Sequence, residues 1–198
     1  MHWDDDVQYL KGVGPKRAEK FAHLGIHTVG DLLCLYPRGY IDYSNPLPVA
    51  TAPYGTPCTV RAEVLHKTPP VRISGGRTMA RVQCADDTGA LELVFFNNPY
   101  VLDKLAIGEE YLFYGKVGGA FTQREMVAPT FVPAAGGGAP APLYPLGGGL
   151  KNHEVAKPAE HALQVLEDLT DPLPPQLLEK YRLPGKLQAL RMLHRPAG

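Results

Sequence analysis

The chain has 198 residues, with 20 Lys and Arg against 20 Asp and Glu, so its formal net charge is zero. At 44% hydrophobic and 20% charged residues it reads as globular, long enough for one large domain or two small ones. No apolar run approaches a membrane span, the acidic start at Asp4–Asp6 is unlike a basic signal peptide, and Cys34, Cys58 and Cys84 show no CxxC spacing; membrane, disulfide and zinc scaffolds are set aside and a cytoplasmic location is expected.

Residues 9–40 read as two short helices joined by glycine turns. Pro15 suits a first helical position after Gly12 and Gly14, with Ala18, Phe21, Ala22 and Leu24 on one face and Gly25 as the stop. Thr28 is placed to cap a second helix through Val29, Leu32, Leu33 and Leu35, ended by Pro37. From about residue 57 the period changes to two. Val60, Ala62 and Val64 alternate with Thr59, Arg61 and Glu63, and two further runs flank a turn at Asp86-Asp87-Thr88-Gly89. Residues 100–105 predict a short helix, and residues 110–117 and 123–132 two more strands. Five strands with a helix after the third is the order of an OB-fold barrel. A generic five-stranded barrel or small sandwich has nearly the same pattern.

Residues 134–149 hold six Gly, three Pro and four Ala, a composition that predicts a linker or surface loop. The remainder predicts three helices, after Pro158, Pro174 and Pro184. The segments are therefore 1–50, a helical hairpin; 51–133, an OB-fold barrel; 134–149, a linker; and 150–198, helical. The fold class is mixed α and β.

The zero charge is a sum of opposed patches. Residues 9–40 carry Lys11, Lys16, Arg17, Lys20 and Arg38 against two acids, and residues 59–81 carry Arg61, Lys67, Arg72, Arg77 and Arg81 against Glu63 alone. Residues 82–110 carry six acids against Lys104. Local potential follows such clusters rather than the total, so nucleic acid is not excluded, although ordinary solvated faces would give the same counts.

Several enzyme classes are excluded by missing motifs. Gly115-Lys116 and Gly185-Lys186 lack the upstream glycine and following Ser/Thr of a phosphate-binding P-loop, and HExxH, GxSxG and the deaminase signature do not occur. His23 and His27 have Gly25 between them and no third ligand near, so a surface pair is the expectation and no metal is assigned.

Leu10-Lys11-Gly12-Val13-Gly14-Pro15-Lys16-Arg17-Ala18 resembles the helix–hairpin–helix motif of DNA-binding proteins. Gly12 and Gly14 would let the backbone approach a phosphate at the following helix N-terminus, and Lys16 and Arg17 would add charge attraction. Many helical hairpins use such glycines for steric reasons alone. Arg72 and Arg77 flank Ser74-Gly75-Gly76 in the loop between the first two predicted strands, where OB-folds bind oligonucleotides. In Phe95-Phe96-Asn97-Asn98-Pro99-Tyr100, alternation sends one phenylalanine to the core and the other outward. An exposed Phe or Tyr can stack on a base, whereas a lone aromatic more often fills a core.

Together these segments resemble the N-terminal region of the RecG family of bacterial ATP-dependent DNA helicases, which reverse stalled replication forks. The resemblance rests on residues 10–42, the Phe95–Tyr100 run, residues 114–119 followed by 126–131, residues 142–150 and the end of the chain from Lys186 on, in the family's order. It implies an OB-fold wedge that holds the arms of branched DNA, forks and Holliday junctions, with Phe96 and Tyr100 stacking on bases unpaired at the junction. It also implies a motor beyond this chain, within the same protein, that would carry the ATPase motifs and bind ATP and Mg. The 198 residues alone are expected to be monomeric, non-catalytic and without a cofactor. A stand-alone single-strand-binding OB protein and a protein-interaction module are the alternatives.

Overall fold

The computed structural model describes residues 1–98, 100–120, 123–136, 138–167 and 169–196. It divides into two compact units: Met1–Ile41 together with the chain from Pro140 on, and Asp42–Ala139.

The first unit begins with helix α1 (Pro15–Ala22) and helix α2 (Val29–Cys34). Pro15 occupies the first turn of α1, where its missing N–H costs nothing. Thr28 caps α2: its hydroxyl accepts from the Asp31 N–H at 3.1 Å, and the Asp31 carboxylate accepts the Thr28 N–H at 2.9 Å. Strand β1 (Gly39–Ile41) leads out of this unit.

In the second unit, strand β2 (Pro57–Arg72) is followed by β3 (Thr78–Asp86), β4 (Gly89–Phe96), the one-turn helix α3 (Val101–Lys104), β5 (Glu110–Ala120), β6 (Gln123–Val127) and β7 (Thr130–Pro133). All pairings are antiparallel except β4 with β6. The long β2 serves two partners, β5 through residues 57–63 and β3 from Glu63 to Arg72. Its register shifts between Thr68 and Val71, where Pro69 and Pro70 offer no N–H to the ladder. The single strand expected over 123–132 is two, because Pro129 also lacks an N–H and Ala128 turns to φ +46°. The inward residues Val60, Ala62, Val64, Val82, Leu91, Leu93, Phe95, Phe113 and Met126 form this unit's core, with Val101 and Leu105 closing it from α3.

The chain returns to the first unit through strand β8 (Ala141–Leu143), paired antiparallel to β1. The expected linker at 134–149 is thus in part a strand, and Tyr144 beside it is a core residue; Gly137 lies outside the described residues. Three helices follow: α4 (Asn152–Val165), α5 (Pro175–Tyr181) and α6 (Lys186–His194). Helix α4 starts ahead of the position expected after Pro158 and carries that proline inside. The lost hydrogen bond is offset by burial of Val155, Ala159 and Ala162 along one face. Val7, Leu10, Phe21, Val29, Leu32 and Leu33 share one core with Tyr144, Val155, Leu163, Leu166 and Leu190. The segments read separately as 1–50 and 150–198 therefore contribute to a single unit.

Candidate nucleic-acid interface

The β2–β3 hairpin ends in Ser74–Gly76, where Gly75 and Gly76 take φ of +78° and +71°. That conformation suits glycine and lets the chain reverse within three residues. The Ile73 N–H donates to the Arg77 carbonyl at 2.8 Å, closing the tip. Below it lie two adjacent rungs spanning three strands. In one, Arg72 is the register partner of Thr78, and Thr78 exchanges hydrogen bonds with Asn97. In the next, Val71 faces Met79 and Met79 faces Phe96.

Alternation along β4 separates the two phenylalanines as expected. Phe95 is 3% exposed and meets Phe131 edge-on at 6.4 Å between ring centroids. Phe96 is 40% exposed on the opposite face. Tyr100, at the start of α3, is 73% exposed; Pro99 between them lies outside the described residues. Lys67 donates to the carbonyls of Leu102 and Leu105, both at 2.8 Å, fixing the end of α3. Buried Val101 and Leu105 anchor the same helix in the core. The structure thus gathers Arg72, Arg77, Phe96 and Tyr100 around one end of the β2–β3–β4 sheet.

Pairing then determines which charges are available. Arg61 is bonded to Glu110, Arg81 pairs with Glu92 at 3.1 Å, and Lys67 serves α3. Among the described residues Arg72 and Arg77 have no ion pair, and both are exposed. Of five basic residues in this stretch, the two at the hairpin tip are those whose charge is not engaged by another group among the described residues.

The glycine hairpin of the first unit gathers the other four candidates. Gly12 and Gly14 adopt φ of +87° and +51°, and Gly14 precedes the first turn of α1. Lys16 is exposed and has no ion pair among the described residues. Arg17 is engaged: its guanidinium bonds the Gly12 carbonyl and lies 3.3 Å from Glu154. Lys20 lies 3.7 Å from the other Glu154 oxygen. The Lys151 N–H, followed by the two cations, holds the Glu154 carboxyl below its usual range. Glu154 on α4 therefore neutralises part of the positive patch read from the sequence. Nothing local to residues 9–40 signals a partner so distant in the chain.

Val71, Thr78, Met79 and Asn97 were not singled out by sequence reading. Their role rests on register across three strands. Asn97 alone left a trace, as an asparagine following a strand and able to take positive φ.

The profile of the RecG wedge domain matches residues 6–166. The chain belongs to the RecG wedge-domain family. It is 34% identical to the ATP-dependent DNA helicase RecG of Escherichia coli K12 over 198 residues, covering 94% of this chain and 28% of that protein. The RecG of Streptococcus pneumoniae is 29% identical over 201 residues, covering 99% and 29%. A solved structure of RecG bound to a three-way DNA junction superposes with a TM-score of 0.85 at 27% identity, over 99% of this chain and 28% of that one. The chain thus spans less than a third of the RecG proteins it matches. All eight candidate residues lie within the span of the wedge-domain match, whereas α5 and α6 lie beyond it.

Proposed function

We propose that this chain is the branched-DNA-binding wedge module of a fork-reversing, Holliday-junction-processing helicase. The cycle of pairings β2–β3–β4–β6–β5–β2 is read as a closed OB barrel. Phe96 and Tyr100 stack on the bases unpaired at the junction, and Arg72 and Arg77 hold the phosphates beside them. Gly12, Gly14 and Lys16 form a helix–hairpin–helix phosphate contact at the start of α1, with Arg17 bracing that hairpin from within. The single observation that carries the reading is the exposure of Phe96 and Tyr100 at the end of the sheet whose hairpin tip carries Arg72 and Arg77, which have no ion pair among the described residues. A buried aromatic pair or neutralised arginines would have argued against it.

The module acts as a monomer in the cytoplasm. It separates strands passively, the work coming from ATP- and Mg-dependent motor domains of the same protein. The 198 residues hydrolyse no ATP by themselves. Preference follows junction shape rather than sequence, because phosphate and stacking contacts carry little base information.

Gel-shift titration of fork and linear duplex with the Phe96→Ala/Tyr100→Ala double variant tests this. Each stacked base contributes roughly 1–3 kcal/mol, so losing both stacks lowers fork affinity by about thirtyfold or more. Duplex affinity, set by the arginines and lysines, stays nearly constant. An unchanged fork-to-duplex ratio would sink the stacking role. Equal affinity of the unmodified chain for forks and unbranched single strands would favour a general single-strand binder.

A further inference from the structure

We infer that Asn97 is a positioning residue for the junction contact: it sets the angle between Phe96 and Tyr100 without needing to touch DNA. The inference rests on the wedge reading above.

Asn97 sits at φ +51°, a left-handed conformation that L-residues seldom adopt and that asparagine tolerates better than most. The side chain is exposed, so core packing does not impose this conformation. Two hydrogen bonds to one residue do. The Asn97 N–H donates to the Thr78 carbonyl at 2.9 Å, and the Thr78 N–H donates to Asn97 Oδ1 at 3.0 Å. Both backbone groups of Thr78, the first residue of β3, are thereby taken by a single residue.

Two consequences follow for the site. The turn leaving Phe96 starts from a fixed point and direction, and the Val101 N–H meets the Asn98 carbonyl at 3.3 Å as α3 begins. Tyr100 is carried between these two anchors. Thr78 is also the register partner of Arg72 and the neighbour of Arg77, so the same clamp ties the aromatic turn to the arginine tip. A residue at 97 lacking the Oδ1 acceptor and the tolerance for positive φ lets the chain relax. Phe96 stays in the β4 ladder while Tyr100 loses its direction.

The test uses the 198-residue chain with Asn97→Ala, Asn97→Gly and Asn97→Asp. Readouts are the ratio of fork to duplex affinities, taken as association constants, and the fluorescence of 2-aminopurine placed at the junction. Asn97→Ala lowers the fork-to-duplex ratio by about tenfold, part of the loss expected on removing a stacked base, with duplex affinity unchanged. Asn97→Gly, which recovers the φ but not the acceptor, falls between. Asn97→Asp recovers both and restores the ratio, its added charge weakening fork and duplex binding together. In the Phe96→Ala/Tyr100→Ala background, Asn97→Ala has no further effect, because a residue acting through that pair is silent without it. If Phe96→Ala/Tyr100→Ala lowers the ratio and Asn97→Ala does not, or if the losses add, the positioning role is overturned and the wedge reading stands. If Phe96→Ala/Tyr100→Ala leaves the ratio unchanged, both fall.

Discussion

The Tyr144 hydroxyl donates to Nδ1 of His194 at 2.8 Å, joining strand β8's flank to the last turn of α6. The other ring nitrogen, Nε2, lies 2.9 Å from the Leu33 carbonyl. A carbonyl only accepts, so Nε2 carries the hydrogen and Nδ1 is the acceptor. Burial favours this neutral form and holds His194 below its ordinary pKa, with the Leu33 bond opposing in part.

Acid should therefore loosen the first unit earlier than its carboxylates alone would. As pH falls below about 6.5, His194 in the unfolded chain takes up a proton that the folded chain refuses, and stability drops until the folded value is passed. Urea midpoints measured from pH 8 to 5 should decline over this window. His194→Gln should cost about 1–2 kcal/mol at neutral pH, from imperfectly paired Tyr144 and Leu33 groups, and flatten the decline.

Ala128 is an L-residue at φ +46° on the surface, ahead of Pro129. Left-handed backbone costs it about 1–2 kcal/mol, part of which glycine returns in lost chain freedom. Ala128→Gly should stabilise the second unit by about 0.5–1 kcal/mol, seen as a higher thermal midpoint. A lower midpoint would show that the methyl group makes a favourable contact.

Thiol accessibility offers a check on the packing of β2 and β3. Cys34 is exposed, while Cys58 and Cys84 are buried. Burial raises the Cys58 thiol and pushes Cys84 up to about 12, so neither forms thiolate readily in the folded chain. A chromogenic disulfide reagent at pH 8 should titrate Cys34 promptly and the other two only in denaturant.

Glu154 offers a handle on the glycine hairpin. Its carboxylate faces Arg17 and Lys20 and accepts the Lys151 N–H at the start of α4. Glu154→Gln should destabilise the chain by about 1 kcal/mol, like the loss of a helix cap. The native contribution is present above the ordinary carboxylate pKa and lost as pH falls through the lowered folded value. On the proposed phosphate contact, freeing these cations should steepen the salt dependence of fork binding by about 0.9 for each one that reaches a phosphate.

These residues also show what the sequence could and could not disclose. The helices starting at Pro15 and Val29, the β3–β4 turn, and the inward Phe95 against outward Phe96 were all legible, because caps, turn residues and strand alternation are local. Pairing of residues 39–41 with 141–143, the shared core of the first and last segments, and Glu154 beneath the hairpin were not, because each joins positions about a hundred residues or more apart. Composition also misled: residues 134–149, rich in glycine and alanine, contain a strand and the buried Tyr144. Charge counting located the basic stretch 59–81 and the glycine loop picked out Arg72 and Arg77 within it, but only the structure shows Arg61 and Arg81 paired with acids on neighbouring strands.

Ile41 and Ala141 are register partners, so the chain departs from the first unit and re-enters it at neighbouring points, about 5 Å apart. Residues 42–139 are topologically a cassette, spliced into a two-stranded ladder as a long loop would be. A tight turn in their place would leave β1 and β8 as a simple hairpin, with the core of the first unit intact. Conversely, the cassette can change in length or surface without altering the paired ends of β1 and β8 from which it is spliced.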